Sequence, residues 1–197
     1  MWFKEVILES TNVRLVPLRE SHAKELVIAA SDGELWNLWF TSVPSEHNVR
    51  AYIASALEQQ AKGLALPFVV IDKETEQVIG TTRFCNADPT NQRVEIGYTW
   101  YSKRYQRTAC NTQCKTLLLT HAFEALGAIA VEFRTSWHNQ ASRAAIARLG
   151  AKQDGILRNH QKLPDGGYRD TVVFSIINSE WLAVKTALEY KLRRHHE

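Results

Sequence analysis

The turn Gln106-Arg107-Thr108-Ala109-Cys110-Asn111 joins an alternating segment to one whose apolar residues recur every four positions. It is where chemistry is expected first. The opening turn of a helix leaves its N–H groups without partners, and the helix dipole adds partial positive charge there. Small residues at that turn let an anion approach the N–H groups closely, and a pyrophosphate suits such a cradle. Arg104 and Arg107 add charge, and the Thr108 hydroxyl offers a further donor. A plain strand-to-helix connection with a solvated basic turn would show the same residues, because the turn is not glycine-rich. Cys110 and Cys114 lie four apart on the helix with no histidine beside them, so no zinc or other metal site is expected. Cys110 falls in the first turn, where the dipole could lower a thiol pKa, although a small buried side chain is the simpler role.

The elements that must position this turn follow from periodicity. Val94, Ile96, Tyr98 and Trp100 alternate with Arg93, Glu95, Gly97 and Thr99, which predicts a strand with two distinct faces. From about Thr108, Cys114, Leu118, Ala122 and Leu126 mark a helix, and Gly127 supplies a residue that tolerates positive φ at its end. Upstream, strands are predicted at Val13–Leu18, Leu66–Ile71 and Gln77–Phe84. Helices are predicted from about Arg19 or Ser21 to Ser31 and from Pro44 to about Lys62. Downstream, Ile129–Trp137 alternates as a strand, and Asn139 is a good N-cap for a helix ending at Gly150. Strands at Gln153–Leu163 and Tyr168–Ile177 flank the turn Pro164-Asp-Gly-Gly, and a last amphipathic helix starts at Ser179.

The 197 residues, 45% apolar and 23% charged, fit a single domain with a sizeable core. No apolar run reaches 18 residues and no basic-then-apolar start is present, so neither a membrane span nor a secretory signal is expected. Three cysteines, an odd number, fit a reducing cytoplasm. A net charge of +3 does not by itself imply nucleic acid, and the basic end Lys191-Leu-Arg-Arg-His-His reads as a solvated helix tail.

Glu95-Ile-Gly-Tyr, Gln106 to Asn111, Asn139-Gln-Ala-Ser142, Leu149-Gly-Ala, Gly155-Ile-Leu-Arg158 and Leu163-Pro-Asp-Gly-Gly-Tyr-Arg-Asp occur in that order. With these pieces the chain resembles the GNAT family of acetyl-CoA-dependent N-acetyltransferases, most of all the branch of RimJ/RimL-type ribosomal-protein N-terminal acetyltransferases. The resemblance covers about Val13 to Trp181. It implies an α/β (α+β) fold: a mixed, mostly antiparallel sheet of six to seven strands, helices on both faces, and central strands splayed to admit CoA. It divides the chain into a lead-in (1–10), the acetyltransferase domain (11–178) and a C-terminal helix (179–197).

The resemblance also implies roles. The family signature Gln/Arg-x-x-Gly-x-Gly/Ala corresponds to Gln106-x-x-Ala109-x-Asn111, with both glycine positions changed. Residues Gln106, Arg107, Thr108, Ala109, Cys110 and Asn111 would hold the pyrophosphate. The backbone of Tyr98, Thr99 and Trp100 would grip pantetheine, helped by Asn139 and Ser142. Glu95 matches a general base and Ser142 a proton donor to the CoA thiolate; a salt-bridged strand glutamate and a capping hydroxyl are the structural alternatives. Trp36, Trp39 and Phe40 would lie along the acceptor groove. Where related enzymes can carry a glutamate on the strand after Gly155, this chain has Gln161, which cannot act as a base, and the adjacent His160 falls on the other face of the strand. The acceptor would be a primary amine, a protein N-terminus or a small molecule, with no specific nucleic acid and no membrane as partners; a homodimer stays open. A non-catalytic acyl-CoA-binding module is the alternative.

Overall fold

In the computed structural model, which describes residues 2–163 and 165–194, the alternating segments become strands of one sheet. In chain order the elements are β1 (Leu8–Glu9), β2 (Val13–Pro17), α1 (Ala23–Ser31), α2 (Val49–Ala61), β3 (Leu66–Asp72), β4 (Gln77–Asp88), β5 (Arg93–Tyr101) and α3 (Cys110–Thr120). They continue with β6 (Ala130–Ser136), α4 (Gln140–Arg148), β7 (Lys152–Lys162), β8 (Tyr168–Ile177) and α5 (Asn178–Arg194). The eight strands lie in the order β1-β2-β3-β4-β5-β6-β8-β7. Every pairing is antiparallel except β5 with β6.

The strand period of two sorts the core onto two faces. In β3, Leu66, Phe68 and Val70 join Cys114 and Leu118 of α3 and Trp181 and Leu188 of α5. Val69 instead packs with Leu26 and Ala30 of α1 and Ile53 of α2. Helices therefore cover both faces, as expected.

Several boundaries differ from the sequence reading. Among the described residues the sheet has eight strands because Leu8–Glu9 adds one at the edge. The lead-in is part of the fold: Phe3 is buried and stacks on Phe84 at 5.7 Å, and the Trp2 indole donates to Leu126 O at 3.0 Å. α2 begins at Val49 rather than at Pro44, because Asn48 turns its side chain back to accept from Ser45 N at 2.7 Å and closes a turn first. α5 packs on the domain through buried Trp181, Val184 and Leu188. Gly127 takes φ +66° where α3 and its widened last turn end. β7 and β8 pair as the expected hairpin; Pro164 of its turn, and His195 and His196 of the basic tail, lie outside the described residues.

The departure that matters most is inside β5. Arg83 stands opposite Gly97 and Thr81 opposite Trp100, so Tyr98 and Thr99 together face the single residue Thr82. That is a β-bulge, and Tyr98 takes φ +50° within it. An extra residue reverses the facing of everything after it. Val94 and Ile96 point to the α3 side, but Trp100 joins the α1–α2 core and Tyr101 the α3 core. Sequence alternation had placed Trp100 and Tyr98 on the face of Ile96. Tyr98 is instead half-exposed.

β5 and β6 then part. Only Arg93–Glu95 pair with Ala130–Glu132. Beyond them β5 keeps β4 as its neighbour and β6 keeps β8. Because these two strands are parallel, α3 and α4 both start at the splayed end.

Gly80 lets β4 close on β5 above the bulge. A Cβ built there would sit 2.1 Å from the carbonyl oxygen of Trp100, a backbone atom that cannot swing aside. Gly80→Ala should therefore destabilise by about 1–3 kcal/mol, lowering Tm by about 2–4 °C for each kcal/mol. Gly155→Ala, whose Cβ would meet nothing within 4 Å, should leave Tm unchanged. Thermal melts of the two variants check this, and equal melting points would contradict it.

Candidate active site

At the start of α3 the expected cradle forms by backbone. Ala109 has φ −65°, which a methyl side chain adopts freely, and Arg107 carries the positive φ of the turn at +62°. The N–H of Cys110 is capped by Thr108 Oγ1 at 3.2 Å. Those of Ala109, Asn111 and Thr112 have no acceptor among the described residues. The side chains serve differently from the sequence reading. The Thr108 hydroxyl donates to Tyr105 O at 2.7 Å, so its proton shapes the turn. The Gln106 amide donates to Tyr101 O at 3.0 Å and fixes the end of β5. Asn111 accepts from the Tyr101 hydroxyl at 3.3 Å, and its NH2 group has no partner among the described residues. Arg104 turns to Asp32 and Gln77, whereas Arg107 stays exposed. Cys110 is buried, and its contact with Cys114 together with burial pushes its thiol pKa up rather than down. Arg148 of α4, not singled out in the sequence, adds charge here by donating to Thr112 Oγ1 at 3.0 Å.

Glu95 sits at the fork where β5 leaves β6, 8% exposed. Asn86 donates to its Oε2 at 2.8 Å, and Arg134 Nε lies 3.5 Å from the same oxygen. Oε1 has no hydrogen-bond donor among the described residues. It lies over Gly97: a Cβ added there would meet it at 3.2 Å and Cys85 Sγ at 3.3 Å. Glycine thus keeps open the space in front of the free oxygen. Burial raises the Glu95 pKa, against the lowering influence of Asn86 and Arg134.

The bulge beside Glu95 is pinned from both faces. On the α1–α2 side a hydrogen-bond chain runs from Trp100 Nε1 to the Tyr52 hydroxyl (3.4 Å), to Thr81 Oγ1 (3.1 Å), to Tyr98 O (2.9 Å). On the other side Lys115 Nζ reaches Thr99 Oγ1 at 2.5 Å and Thr82 Oγ1 at 3.2 Å, and the two threonines are 2.8 Å apart. The far wall of the gap is the end of β6 and the start of α4. There Asn139 caps the helix by accepting from Ser142 N at 3.0 Å, and the Ser142 hydroxyl has no partner among the described residues. The aromatic loop reaches this rim. Trp39 is 62% exposed, packs edge-on to Phe40 and lies 5.2 Å from the His138 ring, just after β6; Trp36 is half-buried against the α1–α2 core. His160, on the edge strand β7, bonds to Thr171 of β8.

A sheet forked after a carboxylate, with unpaired helix N–H groups at the open end, fits a CoA thioester threaded between the strands. The family description "Acetyltransferase (GNAT) domain" matches residues 12–152, well over half of the chain. The chain belongs to the GNAT family of acetyltransferases.

Members of this family take their acetyl group from acetyl-CoA. A solved GCN5-related N-acetyltransferase from Brucella melitensis is 31% identical, superposes with a TM-score of 0.87, and is matched over 96% of this chain and 86% of that one. A Bacillus subtilis (strain 168) protein provisionally named ribosomal N-acetyltransferase YdaF is 32% identical over 96 residues, 49% of this chain; the match spans about half (51%) of YdaF. RimL, a ribosomal L7/L12 α-N-protein acetyltransferase solved in complex with coenzyme A, shares the fold at 21% identity and a TM-score of 0.74, over 87% of this chain and 98% of that one. Among the described residues no helix is long and apolar enough to cross a membrane, and no cluster of metal-ligating side chains occurs.

Lys115 is the unexpected ionisable group of this GNAT site. It is 4% exposed, and burial pushes its pKa down from 10.5 to about 8. Between those values the unfolded chain binds a proton that the folded chain does not, so stability rises with pH across that window. Lys115→Met removes the term and leaves the two threonines bonded to each other. The variant should be more stable than the parent at pH 7, by about 3 kcal/mol at most, with the difference shrinking toward pH 10. A difference that is constant from pH 7 to 10 in thermal melts would refute this.

Proposed function

We propose that this GNAT protein acetylates a primary amine, at a protein N-terminus or on a small molecule, by direct attack within a ternary complex. The observation that supports this most is the free Oε1 of Glu95, the unbonded oxygen of a largely buried carboxylate, beside the space that Gly97 keeps open. The RimL-type branch makes a ribosomal-protein N-terminus one candidate acceptor. Bound acetyl-CoA supplies the activated acyl carbon.

The N–H groups of Ala109, Asn111 and Thr112, with Arg107 and Arg148, would hold the pyrophosphate. The unpaired edge of β5 around Tyr98–Trp100 would receive pantetheine. Glu95 takes the proton that the amine must lose, at Oε1, while Asn86 and Arg134 hold Oε2 in place. Its raised pKa makes it a stronger base than a solvated carboxylate. As the nitrogen–carbon bond forms and the carbon–sulfur bond breaks, Ser142 gives its hydroxyl proton to the departing sulfur and regains one from solvent. Trp39 and Phe40 would wall the acceptor side.

Two measurements test the reading. Acetyl-CoA at a hundredfold excess over its Kd should stabilise the fold by about 2.7 kcal/mol, and a pantetheine analogue without phosphates should do so far less; a flat melting curve at millimolar acetyl-CoA would refute cofactor binding. In a turnover screen against amines and N-terminal peptides, Glu95→Gln should lower kcat about 10²–10⁴-fold with little change in acetyl-CoA affinity. The loss should shrink at high pH, where the free amine is abundant. Full turnover by Glu95→Gln at neutral pH would assign the carboxylate a structural role.

A further inference from the structure

Among the described residues, Arg83 and Arg169 face the site without an acid within 4 Å. Arg83 of β4 stands opposite Gly97, and Cys85 stands opposite Glu95, so all four share one face of the sheet. Arg83 and Glu95 are diagonal cross-strand neighbours, roughly 7–8 Å apart along the backbone. Arg83 is 5% exposed. Its guanidinium lies 3.8 Å from the ring centre of Tyr98 and 5.4 Å from that of Tyr52. Stacking of this kind satisfies the faces of the guanidinium and leaves its N–H edges unsatisfied. Among the described residues those edges make no hydrogen bond and meet no carboxylate within 4 Å. The nearby acids are engaged elsewhere: Glu95 by Asn86 and Arg134, Glu132 by Arg93 and Arg134. Arg169 of β8 lies within electrostatic reach of Glu95, and its Nε is buried without a partner among the described residues.

A largely buried guanidinium whose N–H edges stay open has donors that a ligand entering the site can take up. A planar fork is best completed by a carboxylate, bound through two parallel hydrogen bonds. We propose that Arg83, steadied by Tyr52 and Tyr98 and joined by Arg169, binds a carboxylate of the acceptor. The acceptor is then an amine with a carboxylate close to it, rather than a polycation such as a polyamine or aminoglycoside. This rests on the acetyl-transfer reading above. The bulge that opens the gap for the thioester is also what turns Tyr98 outward under Arg83, so one backbone feature builds both subsites.

Matched acceptors test it. Free amino acids against their amides probe an α-carboxylate, and peptides beginning with Asp or Glu against Asn or Gln probe an acidic side chain. For at least one series the carboxylate member should show a kcat/KM roughly 10- to 100-fold above its amide partner. Arg83→Gln should reduce that ratio to near one, mainly by raising KM for the acid, while Arg83→Lys should keep part of it. Arg169→Gln gives the same readout if the Arg83 variants do not fold. Equal kcat/KM within every pair, an equal loss for acid and amide in Arg83→Gln, or a drop in acetyl-CoA affinity instead would each overturn the proposal. If no amine turns over, equilibrium binding with CoA present separates the two claims. Carboxylate ligands that bind the parent but not Arg83→Gln support the subsite while acetyl transfer fails, and no carboxylate binding overturns the subsite as well.

Discussion

After Glu95, β5 surrenders its hydrogen bonds to β6, and the other features of the site answer that break. A backbone N–H or C=O without a partner must be satisfied by water, by another chain segment or by a ligand. The bulge at Tyr98–Thr99 prevents β5 from simply closing again on β6, because it re-aims the strand just beyond the fork. A bulky residue at positive φ is unfavourable by about 1–3 kcal/mol, so the conformation has to be held. Thr81 holds the Tyr98 carbonyl, Lys115 holds the Thr99 hydroxyl, and Arg83 covers the Tyr98 ring. The restraints come from α2, α3 and β4, so the helices on both faces take part in keeping the gap open.

The same break organises the charges. Arg93 and Arg134 serve Glu132 and Glu95 at the paired end of the fork. At the open end there are helix N-termini, and Arg83, Arg107 and Arg169 have no acid within 4 Å among the described residues. A forked sheet with acids engaged at its base and donors free at its mouth is suited to ligands that bring negative charge, a phosphorylated cofactor from one side and an anionic acceptor from the other. Glu95 lies at the junction, its one free oxygen facing the space between them.

Much of this was legible in the sequence. The strand positions, the helix beginning after the basic turn, the Asn139 cap and the Gly127 terminus follow from periodicity and local chemistry; the strand order in the sheet does not, and Glu95 was singled out by resemblance to a known family. The bulge was not legible, because Val94, Ile96, Tyr98 and Trp100 alternate without interruption; only cross-strand pairing shows that two residues oppose Thr82. With the bulge hidden, the facing of Trp100 was misassigned and the partners of Tyr98 could not be inferred. Arg83 had one signal, a charge in the middle of Thr-Thr-Arg-Phe within a strand, but its burial depends on Tyr52 from a distant helix. Lys115 drew no reading from the sequence; it is buried on α3 with the Thr82 and Thr99 hydroxyls as its partners. The Thr108 hydroxyl was assigned to a ligand because the competing carbonyl of Tyr105 becomes available only once the turn has formed.

The central claim is that the fork between β5 and β6, opened at Glu95 and held by the Tyr98 bulge, is where the acetyl group is presented. A crystal structure of the protein with bound acetyl-CoA tests it most directly. The account predicts pantetheine lying along β5 between Gly97 and Trp100, phosphates on the N–H groups of Ala109 to Thr112, and the thioester beside Glu95 and Ser142. Acetyl-CoA bound elsewhere, or a thioester on the far side of the sheet from Glu95, would contradict it.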